Sequence, residues 1–297
     1  MKRRQCGTMG AHFRLLEMDP NFRRRQVNLE RGTRLRMVSR LAFRTGTTTI
    51  PVVVHVVYKK ASENISDAQI KSQIAVLNKD YRATNSDKSK VPGAWGGLVT
   101  DARVQFALAS RDPKGKPTSG ITRTKTTRTS FGTGDTVKSK ASGGENPWPA
   151  NKYLNIWVCT LQGGLLGYAQ FPGGPSKTDG VVILNTAFGT KGTAAAPFNL
   201  GRTATHEIGH WLNLRHIWGD TEDCSGSDFV ADTPNAEGPN YGKPKFPHVS
   251  CSNGPNGDMF MNYMDYVDDA AMFMFTTQQV ARMQAVLDGP RKSIGKV

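Results

Sequence analysis

The strongest constraint on this chain is a short stretch with three histidines, HEIGHWLNLRH at residues 206–216. On an α-helix, His206 and His210 share one face, about 40° apart around the axis and about 6 Å apart along it. If that helix continued, His216 would lie about 15 Å beyond His206, too far to meet the other two rings. Asn213 stands where a reversal would bring His216 back, and asparagine tolerates a left-handed backbone well. The stretch therefore predicts a helix, a turn near residue 213 and three converging imidazoles.

Three imidazoles at this spacing are typical of a catalytic metal site. Two histidines four residues apart can reach one zinc ion at about 2.1 Å each. Glu207 lies beside them, placed to take a proton from a water molecule that zinc activates. The alternative is a chance HExxH match, and the third histidine with its turn-forming neighbour argues against it. His12, His55 and His248 lack metal-ligand spacing and are interpreted as structural.

Strand-like and helix-like segments are mixed along the chain, which predicts an α/β (α+β) fold. Apolar segments that favour strands inside a sheet are IPVVVHVVY (50–58), DARVQFAL (101–108), YLNIWVCTL (153–161) and DGVVILNTAF (179–188). Capping boxes predict helices after Ser66/Gln69 and Thr276/Gln279. Residues 110–150 are rich in Thr, Ser, Lys and Gly and are predicted to be surface loop. The longest apolar run is half the length of a membrane helix, so no membrane span is expected.

The net charge of +15 is concentrated at the amino end. Residues 1–45 hold 12 Lys and Arg against three acidic residues, a net charge of +9. Such an arm can bind nucleic acid, but its arginines are not interleaved with stacking aromatics, and no nucleic-acid-binding motif accompanies them. Short apolar pieces between the arginines predict one or two short helices without a core of their own.

Four cysteines are too few for a disulfide scaffold. Cys224 and Cys251 flank a loop rich in Gly, Pro, Asn and Asp, which a disulfide between them could stabilise. Cys159 lies in an apolar segment and is most simply a small buried residue. Cys6 is left over, either as a spare thiol or as a ligand.

The histidine stretch resembles HExxHxxGxxH, which with a following methionine turn is the signature of the metzincin metallopeptidases. Asn213 stands here in place of the glycine, and MNYMDY (261–266) resembles the methionine turn. Together with GGLLGYAQFPGG (163–174) and VADTP (230–234), these motifs most resemble the pappalysin, or cytophagalysin-like, family. The resemblance covers about residues 46–290.

The resemblance implies a metzincin-like catalytic domain with a twisted, mostly parallel five-stranded sheet, an active-site helix and a C-terminal helix. It implies a zinc endopeptidase whose ion is held by the three histidines. Glu207 would take a proton from the attacking water and then deliver it to the leaving amine. Tyr266, which without the motif would be read as a core residue, would hydrogen-bond the developing oxyanion. Met264 would form an apolar floor beneath the metal.

The residues RxCGT around Cys6 resemble the cysteine switch of pappalysin-like zymogens. A thiolate is a good fourth zinc ligand at about 2.3 Å, so Cys6 in the place of the water would keep the enzyme latent. Residues 1–45 are then an inhibitory prosegment before a catalytic domain at 46–297, with subdomains at 46–213 and 214–297. An enzyme that cuts before arginine could cleave its own Phe43–Arg44 bond, so autoactivation near Arg44 is expected.

Two acidic residues follow the methionine turn and are candidates for determining substrate preference. Without a family, Asp268 and Asp269 would be interpreted as a solvated turn. In the pappalysin family this segment lines the pocket for the side chain on the carboxyl side of the cut, where an aspartate favours Lys or Arg. We expect Asp269 to take this role, with cleavage before a basic residue.

The segment GDTEDCSGSDFVADTP (219–234) gathers five carboxylates, and an exposed acidic loop is its simplest interpretation. The resemblance implies calcium at Asp228 and Thr233, with the carbonyl groups of Ser227 and Ala231 completing the shell. Calcium together with a disulfide implies an oxidising exterior and thus a secreted protein, although no secretory signal is visible in the chain.

Two classes of function result. The first is a secreted zinc endopeptidase that acts on proteins or peptides, is inhibited by its own prosegment, and has no nucleic-acid or membrane partner. The second is a basic-tailed nucleic-acid-binding or surface-binding protein with an incidental histidine helix. Loss of proteolysis on removal of zinc, without salt-dependent binding to DNA, would decide for the enzyme.

Overall fold

The computed structural model describes residues 3–38 and 44–295. Its helices are α1 Thr8–Met18, α2 Pro20–Val38, α3 Asp67–Tyr81, the single turn α4 Gly93–Gly96, α5 Arg202–Trp211 and α6 Thr277–Leu287. Its strands are β1 Thr48–Tyr58, β2 Val104–Leu108, β3 Ile121–Lys125, β4 Leu154–Cys159, β5 Gly167–Ala169 and β6 Val181–Leu184.

The six strands form one mostly parallel sheet with β1 near its centre. Strand β4 pairs with one side of β1, while β2 and β3 pair end to end with the other side, all in parallel. Beyond β4 come β6, which is parallel, and β5, which is antiparallel and forms the edge. Five strands therefore lie abreast, as expected, and β3 adds a sixth.

The prediction that residues 110–150 are surface loop is wrong at Ile121–Lys125, which forms β3. Strand β1 is 11 residues long, and β2 pairs with it only as far as Val52. The rest of that edge, Val54–Tyr58, would otherwise leave unpaired backbone groups, and β3 satisfies them. The β-branched residues of ITRTK suit this extended conformation even though few of them are apolar.

The valines of β1 are buried on both faces of the sheet, because packed layers cover each face. On one face Val52, Val54 and Val56 join the main core, to which helices α3 and α5 contribute. On the other face Val57 packs in a smaller cluster that includes Ala11 of α1. The amino-terminal arm thus contributes to the packing of the main domain.

The arm forms two helices, in line with the sequence prediction, and both rest on the main domain. In α1, the ring of His12 packs edge-on against Phe171, with 5.1 Å between ring centroids. Helix α2 lies against α6 near the carboxyl end. No helix within the described part of the chain is both long enough and apolar enough to cross a membrane.

Candidate metal centre and active site

Helix α5 places two imidazoles and a carboxylate in the interior, since His206, Glu207 and His210 are all buried. The Nε2 atom of His210 lies 3.2 Å from Nε2 of His206 and 3.1 Å from Nε2 of His216. Cys6 joins them, and the four possible ligand atoms all lie within 4.8 Å of one another. The structure therefore brings together the three predicted histidines and the predicted thiol.

The chain turns back after α5 where the sequence predicted it. Asn213 adopts a left-handed backbone with φ of 72°. The Leu214 N–H then donates to the Gly209 carbonyl at 2.9 Å, and the buried Arg282 Nε donates to the Asn213 carbonyl at 2.7 Å. These bonds fix the turn, so that His216 returns to the other two rings instead of continuing along the helix axis.

Each ring is oriented by a partner of its Nδ1 atom, which serves as the donor. The acceptors are the Tyr263 carbonyl for His206 at 2.7 Å, the Leu214 carbonyl for His210 at 2.8 Å and the Asp220 carboxylate for His216 at 2.5 Å. Sequence reasoning missed Asp220, although a carboxylate four residues after a proposed ligand was a usable signal.

The converging nitrogens fit a divalent cation. With Nδ1 as donor, each Nε2 carries a lone pair that faces the other two. Burial lowers the pKa of His206 and of His210 well below 6.5, so both rings are neutral at pH 7. Neutral acceptors packed this closely repel one another unless a cation lies among them. Three imidazoles and a sulfur are a donor set that suits zinc.

Cys6 reaches the cluster because its neighbours extend the edge of the sheet. The Gly7 N–H donates to the Gly167 carbonyl at 2.8 Å, and the Leu166 N–H donates to the Gln5 carbonyl at 2.9 Å. Residues 5–7 thus lie along the free edge of β5. Burial, together with the nearby carboxylate of α5, raises the pKa of the Cys6 thiol well above its usual value. A thiolate at this position therefore requires a cation beside it.

Thr8 engages the predicted general base, a contact that the sequence analysis did not foresee. Its hydroxyl donates to Glu207 Oε2 at 2.8 Å and accepts from the Ala169 N–H at 2.8 Å. The sulfur of Cys6 lies 3.5 Å from the same carboxylate oxygen. Burial raises the pKa of Glu207 to about 7. The CGT residues thus contact both the ligand cluster and the base.

The methionine turn lies directly beneath α5. Met264 is buried, and a Cβ atom at Gly209 would lie 2.5 Å from its sulfur, so a larger residue at position 209 would displace the methionine side chain. The ring of Tyr266 lies 4.9 Å from the ring of His216, on which Trp218 stacks at 4.4 Å. Met264 thus lies against the active-site helix, and Tyr266 lies beside the histidine cluster.

Asp269 is buried against the side chain of Arg4, and we call the space which that side chain fills the acidic pocket. Its Oδ1 accepts from the guanidinium of Arg4 at 2.6 Å, and its Oδ2 accepts from the Leu200 N–H at 2.8 Å. Arg4 also donates to the Thr203 hydroxyl at 3.1 Å. Asp268 is partly exposed, so the solvated-turn interpretation describes that residue and not Asp269. No role was predicted for Arg4 from the sequence.

The four predicted calcium ligands are only partly brought together. The Thr233 hydroxyl donates to Asp228 Oδ2 at 2.6 Å, and both residues are buried. Burial raises the pKa of Asp228 to about 7. The Ser227 hydroxyl oxygen accepts from a backbone N–H two residues on, and the Ala231 N–H donates to Gln278.

The other cysteines and histidines lie outside the cluster. Cys224 and Cys251 form a disulfide, as expected, and Cys159 is buried in β4. The histidines interpreted as structural contact other groups: His12 packs on Phe171, His55 bonds Thr122 and Asn155, and His248 bonds Asp258.

A second polar contact joins the amino-terminal arm to the active-site turn. Glu30 of α2 accepts two hydrogen bonds of 2.5 Å from the guanidinium of Arg282. The Arg282 side chain is fully buried and is the group that holds the Asn213 carbonyl. Glu30 therefore neutralises a buried arginine on which the third histidine depends for its position.

A helix with HExxH, a third histidine after a tight turn and a buried methionine beneath them define the metzincin class of metallopeptidases. The chain belongs to the Peptidase_M43 family: the family model described as Pregnancy-associated plasma protein-A matches residues 138–288. The chain is thus a metallopeptidase with a pappalysin-like domain, and zinc is the metal that this class implies.

Relatives and solved structures agree with this assignment. An extracellular metalloprotease of Pyricularia oryzae is 33% identical over 255 residues, 83% of this chain and 77% of that protein. A promirolysin mutant of Tannerella forsythia is 47% identical with a TM-score of 0.91, over 98% of this chain and 97% of that one. Mature mirolysin of Tannerella forsythia in complex with a cleaved peptide is 52% identical with a TM-score of 0.83, over 85% and 97%.

The contact between Glu30 and Arg282 generates a prediction about docking of the arm. Glu30→Gln removes the charge from a pair with a buried partner, so docking of α2 should weaken by about 1.5–3 kcal/mol. If the chain cleaves itself before Arg44, as the sequence predicts, the full chain should then lose residues 1–43 roughly ten times faster or more during incubation. A gel time course of the intact chain measures this rate. Glu17→Gln, an exposed glutamate of α1, is the matched control and should behave as wild type; equal rates for both variants would contradict the prediction.

Proposed function

We propose that this chain is the zymogen of a secreted zinc endopeptidase that cuts peptide bonds before Lys or Arg. The observation that carries the proposal is the convergence of three histidine nitrogens and the Cys6 sulfur at one point. The relatives support the remaining parts. They include proteins named extracellular metalloprotease, a promirolysin structure that aligns with nearly the whole chain, and a mature mirolysin with a cleaved peptide.

The residues of the site suit hydrolysis of a peptide bond. Zinc, when bound by the three histidines, would lower the pKa of water and polarise the carbonyl group of the substrate. Glu207, whose pKa is raised to about 7, is suited to accept a proton from water and to return it to the leaving amine. The hydroxyl of Tyr266 would donate a hydrogen bond to the carbonyl oxygen as negative charge develops there. The free edge of β5 offers backbone groups to an extended peptide.

Latency follows from what residues 4–8 occupy. Cys6 lies at the ligand cluster, Thr8 holds the general base, and Arg4 fills the acidic pocket. Residues 5–7 also cover the edge of β5 along which a substrate would lie. A single segment therefore blocks the metal, the base and the specificity pocket together. We assign residues 1–45 to the prosegment and 46–297 to the catalytic domain, divided at Asn213 into 46–213 and 214–297.

The proposed preference for a basic residue directly after the cut is based on the contacts of the buried Arg4. Its guanidinium fills the acidic pocket with a charge-assisted hydrogen bond to Asp269, as a basic side chain of a substrate would. An uncharged side chain in the same place would leave the Asp269 carboxylate without its cation. The substrate class is therefore proteins or peptides with Lys or Arg directly after the cut.

Autoactivation near Arg44 is proposed on the same preference. Phe43 lies outside the described residues, whereas the Arg44 guanidinium donates to the carbonyls of Leu287, Lys292 and Ile294 near the end of α6. Cleavage before Arg44 therefore requires that this side chain first leave α6. Loss of the prosegment contacts would favour such opening.

Calcium is proposed for the loop that the disulfide closes. Asp228 is a buried carboxylate whose direct hydrogen-bond donors are the neutral Thr233 hydroxyl and a backbone N–H. A cation at this position would offset the cost of burying its charge, and Ca²⁺ prefers carboxylate, hydroxyl and carbonyl oxygens. The carbonyl groups of Ser227 and Ala231 are the proposed further ligands.

Loss of the general base tests the proposed reaction. Glu207→Gln should lower hydrolysis of an unfolded protein by about a hundredfold or more, while one zinc per chain is retained. The variant chain should stay intact on incubation, whereas wild type gains a new amino terminus near Arg44. A chelator should abolish wild-type activity and added zinc should restore it. Glu237→Gln, at an exposed position, is the control; a Glu207→Gln enzyme as fast as wild type would refute the mechanism.

Asp269→Asn tests the specificity. Because the variant loses the charge that binds a basic side chain, kcat/KM for peptides with Arg after the cut should fall roughly 10–100-fold. Mass spectrometry of released peptides should show that the strict preference for Lys or Arg is lost. Asp268→Asn, at the partly exposed neighbour, should keep the wild-type pattern. Unchanged cleavage sites in Asp269→Asn would count against the acidic pocket.

The calcium site is tested by thermal unfolding. Calcium at about 100 times its Kd should stabilise the wild-type chain by about 2.7 kcal/mol, which corresponds to a rise of a few degrees in Tm. Asp228→Asn should abolish most of this rise, and Asp223→Asn, an exposed carboxylate in the same loop, should preserve it. A wild-type Tm that does not respond to calcium after chelation and refilling would exclude the site.

A further inference from the structure

Arg3 precedes Arg4, the arginine in the acidic pocket, and its side chain lies against the aromatic ring of Tyr241. Its Cζ atom is 4.8 Å from the ring centroid of Tyr241, a distance typical of a cation–π contact. Tyr241 is still 36% exposed with Arg3 in place, and its ring lies 6.1 Å from the ring of Tyr266. It therefore stands at the open rim of the same cleft.

Backbone hydrogen bonds on both sides of Tyr241 hold its ring beside the acidic pocket. On one side, the Asn240 N–H donates to the Asp265 carboxylate at 2.9 Å. On the other side, the Gly242 carbonyl accepts from the Asp268 N–H at 2.8 Å. The backbone on both sides of the ring is thus bonded to the segment that forms the acidic pocket, so the distance between the two subsites is fixed before any substrate arrives.

Electrostatics also favour a cation at this ring. Burial raises the pKa of Tyr241, Arg3 lowers it, and Asp265 and Glu222 raise it further, so Arg3 lies close enough to the phenol to affect its charge. Among the described residues, Arg3 forms no ion pair, so its contact with the aromatic face is the interaction that distinguishes this position. A guanidinium or ammonium group gains there from the aromatic face.

The order of the subsites along the cleft leads to the inference. Moving outward from the metal centre, Cys6 lies at the ligand cluster, Arg4 in the acidic pocket and Arg3 on Tyr241. A substrate whose first residue after the cut fills the acidic pocket directs its second residue to the next position on this path. We propose that Tyr241 is a second specificity-determining residue, and that preferred substrates carry two consecutive basic residues directly after the cut. This inference rests on the proposed cleavage before Lys or Arg.

The prosegment itself contains such a sequence at Arg23–Arg25. These residues lie in helix α2, whose backbone is hydrogen-bonded within the helix and cannot extend along a strand edge while it is folded. Once the prosegment is released and unfolds, this run becomes a substrate of the preferred kind. The enzyme would then destroy its own inhibitor, which makes activation irreversible.

Two peptides that differ at one position test the inference. Both carry a single scissile bond followed by Arg, and the next residue is Lys in one peptide and Gln in the other. The full chain after activation should cleave the Arg-Lys peptide about three to ten times more efficiently in kcat/KM than the Arg-Gln peptide. In Tyr241→Leu this ratio should fall to about one, while Tyr241→Phe should keep most of it. Phe246→Leu, at another exposed aromatic residue, should keep the wild-type ratio.

The outcomes separate this inference from the proposed function. If wild type requires a basic first residue but treats the two peptides alike, or if Tyr241→Leu keeps the ratio, the second subsite is refuted while the acidic pocket stands. If wild type cleaves without regard to a basic first residue, the proposed specificity fails and the second subsite fails with it. Mass spectrometry identifies the bond cut in each peptide and thereby shows which residue occupied the acidic pocket.

Discussion

The structure depends on one electrostatic constraint: three imidazoles direct their Nε2 atoms at a common point. Nε2 of His210 lies 3.1–3.2 Å from Nε2 of each of the other two rings, and the Nδ1 atoms are held by two carbonyls and a carboxylate that keep the rings in place. Such an arrangement is unfavourable without a cation and favourable with one. The tight approach of Gly209 to Met264, the left-handed Asn213 and the buried Arg282 all serve to hold these rings.

The basic amino-terminal arm binds acidic residues of the same chain, one of which lies in the acidic pocket beside this centre. A net charge of +9 on residues 1–45 suggests an anionic partner, and the structure supplies several within the same chain. Arg4 pairs with Asp269, and Arg14 pairs with Asp135. In a third pair the arm supplies the acid, because Glu30 binds Arg282. In the proposed zymogen, the arm therefore combines a metal ligand, a substrate-like arginine and a separate helical anchor. Because these contacts are far apart, losing one of them weakens docking without releasing the whole arm at once.

Local rules predicted the parts of the site that lie close together in sequence. The spacing of HEIGHWLNLRH and the backbone preference of Asn213 were enough to predict the helix, the turn and the converging histidines, whereas the roles expected for Cys6 and Asp269 depended on the family resemblance. Contacts across the fold had no local signal: Glu30 and Arg282 are 252 residues apart, and Thr8 and Glu207 are 199 apart. Strand β3 was missed for a similar reason, because its polar sequence pairs only where β1 leaves an edge open.

X-ray absorption at the zinc edge, measured on the intact chain, tests the central claim most directly. The account predicts one zinc per chain with three nitrogen ligands at about 2.0–2.1 Å and one sulfur ligand at about 2.3 Å. After the prosegment is removed, the sulfur should be replaced by an oxygen while the three nitrogens remain. An intact chain without stoichiometric zinc would contradict the metal centre, and a zinc shell without sulfur would contradict latency through Cys6.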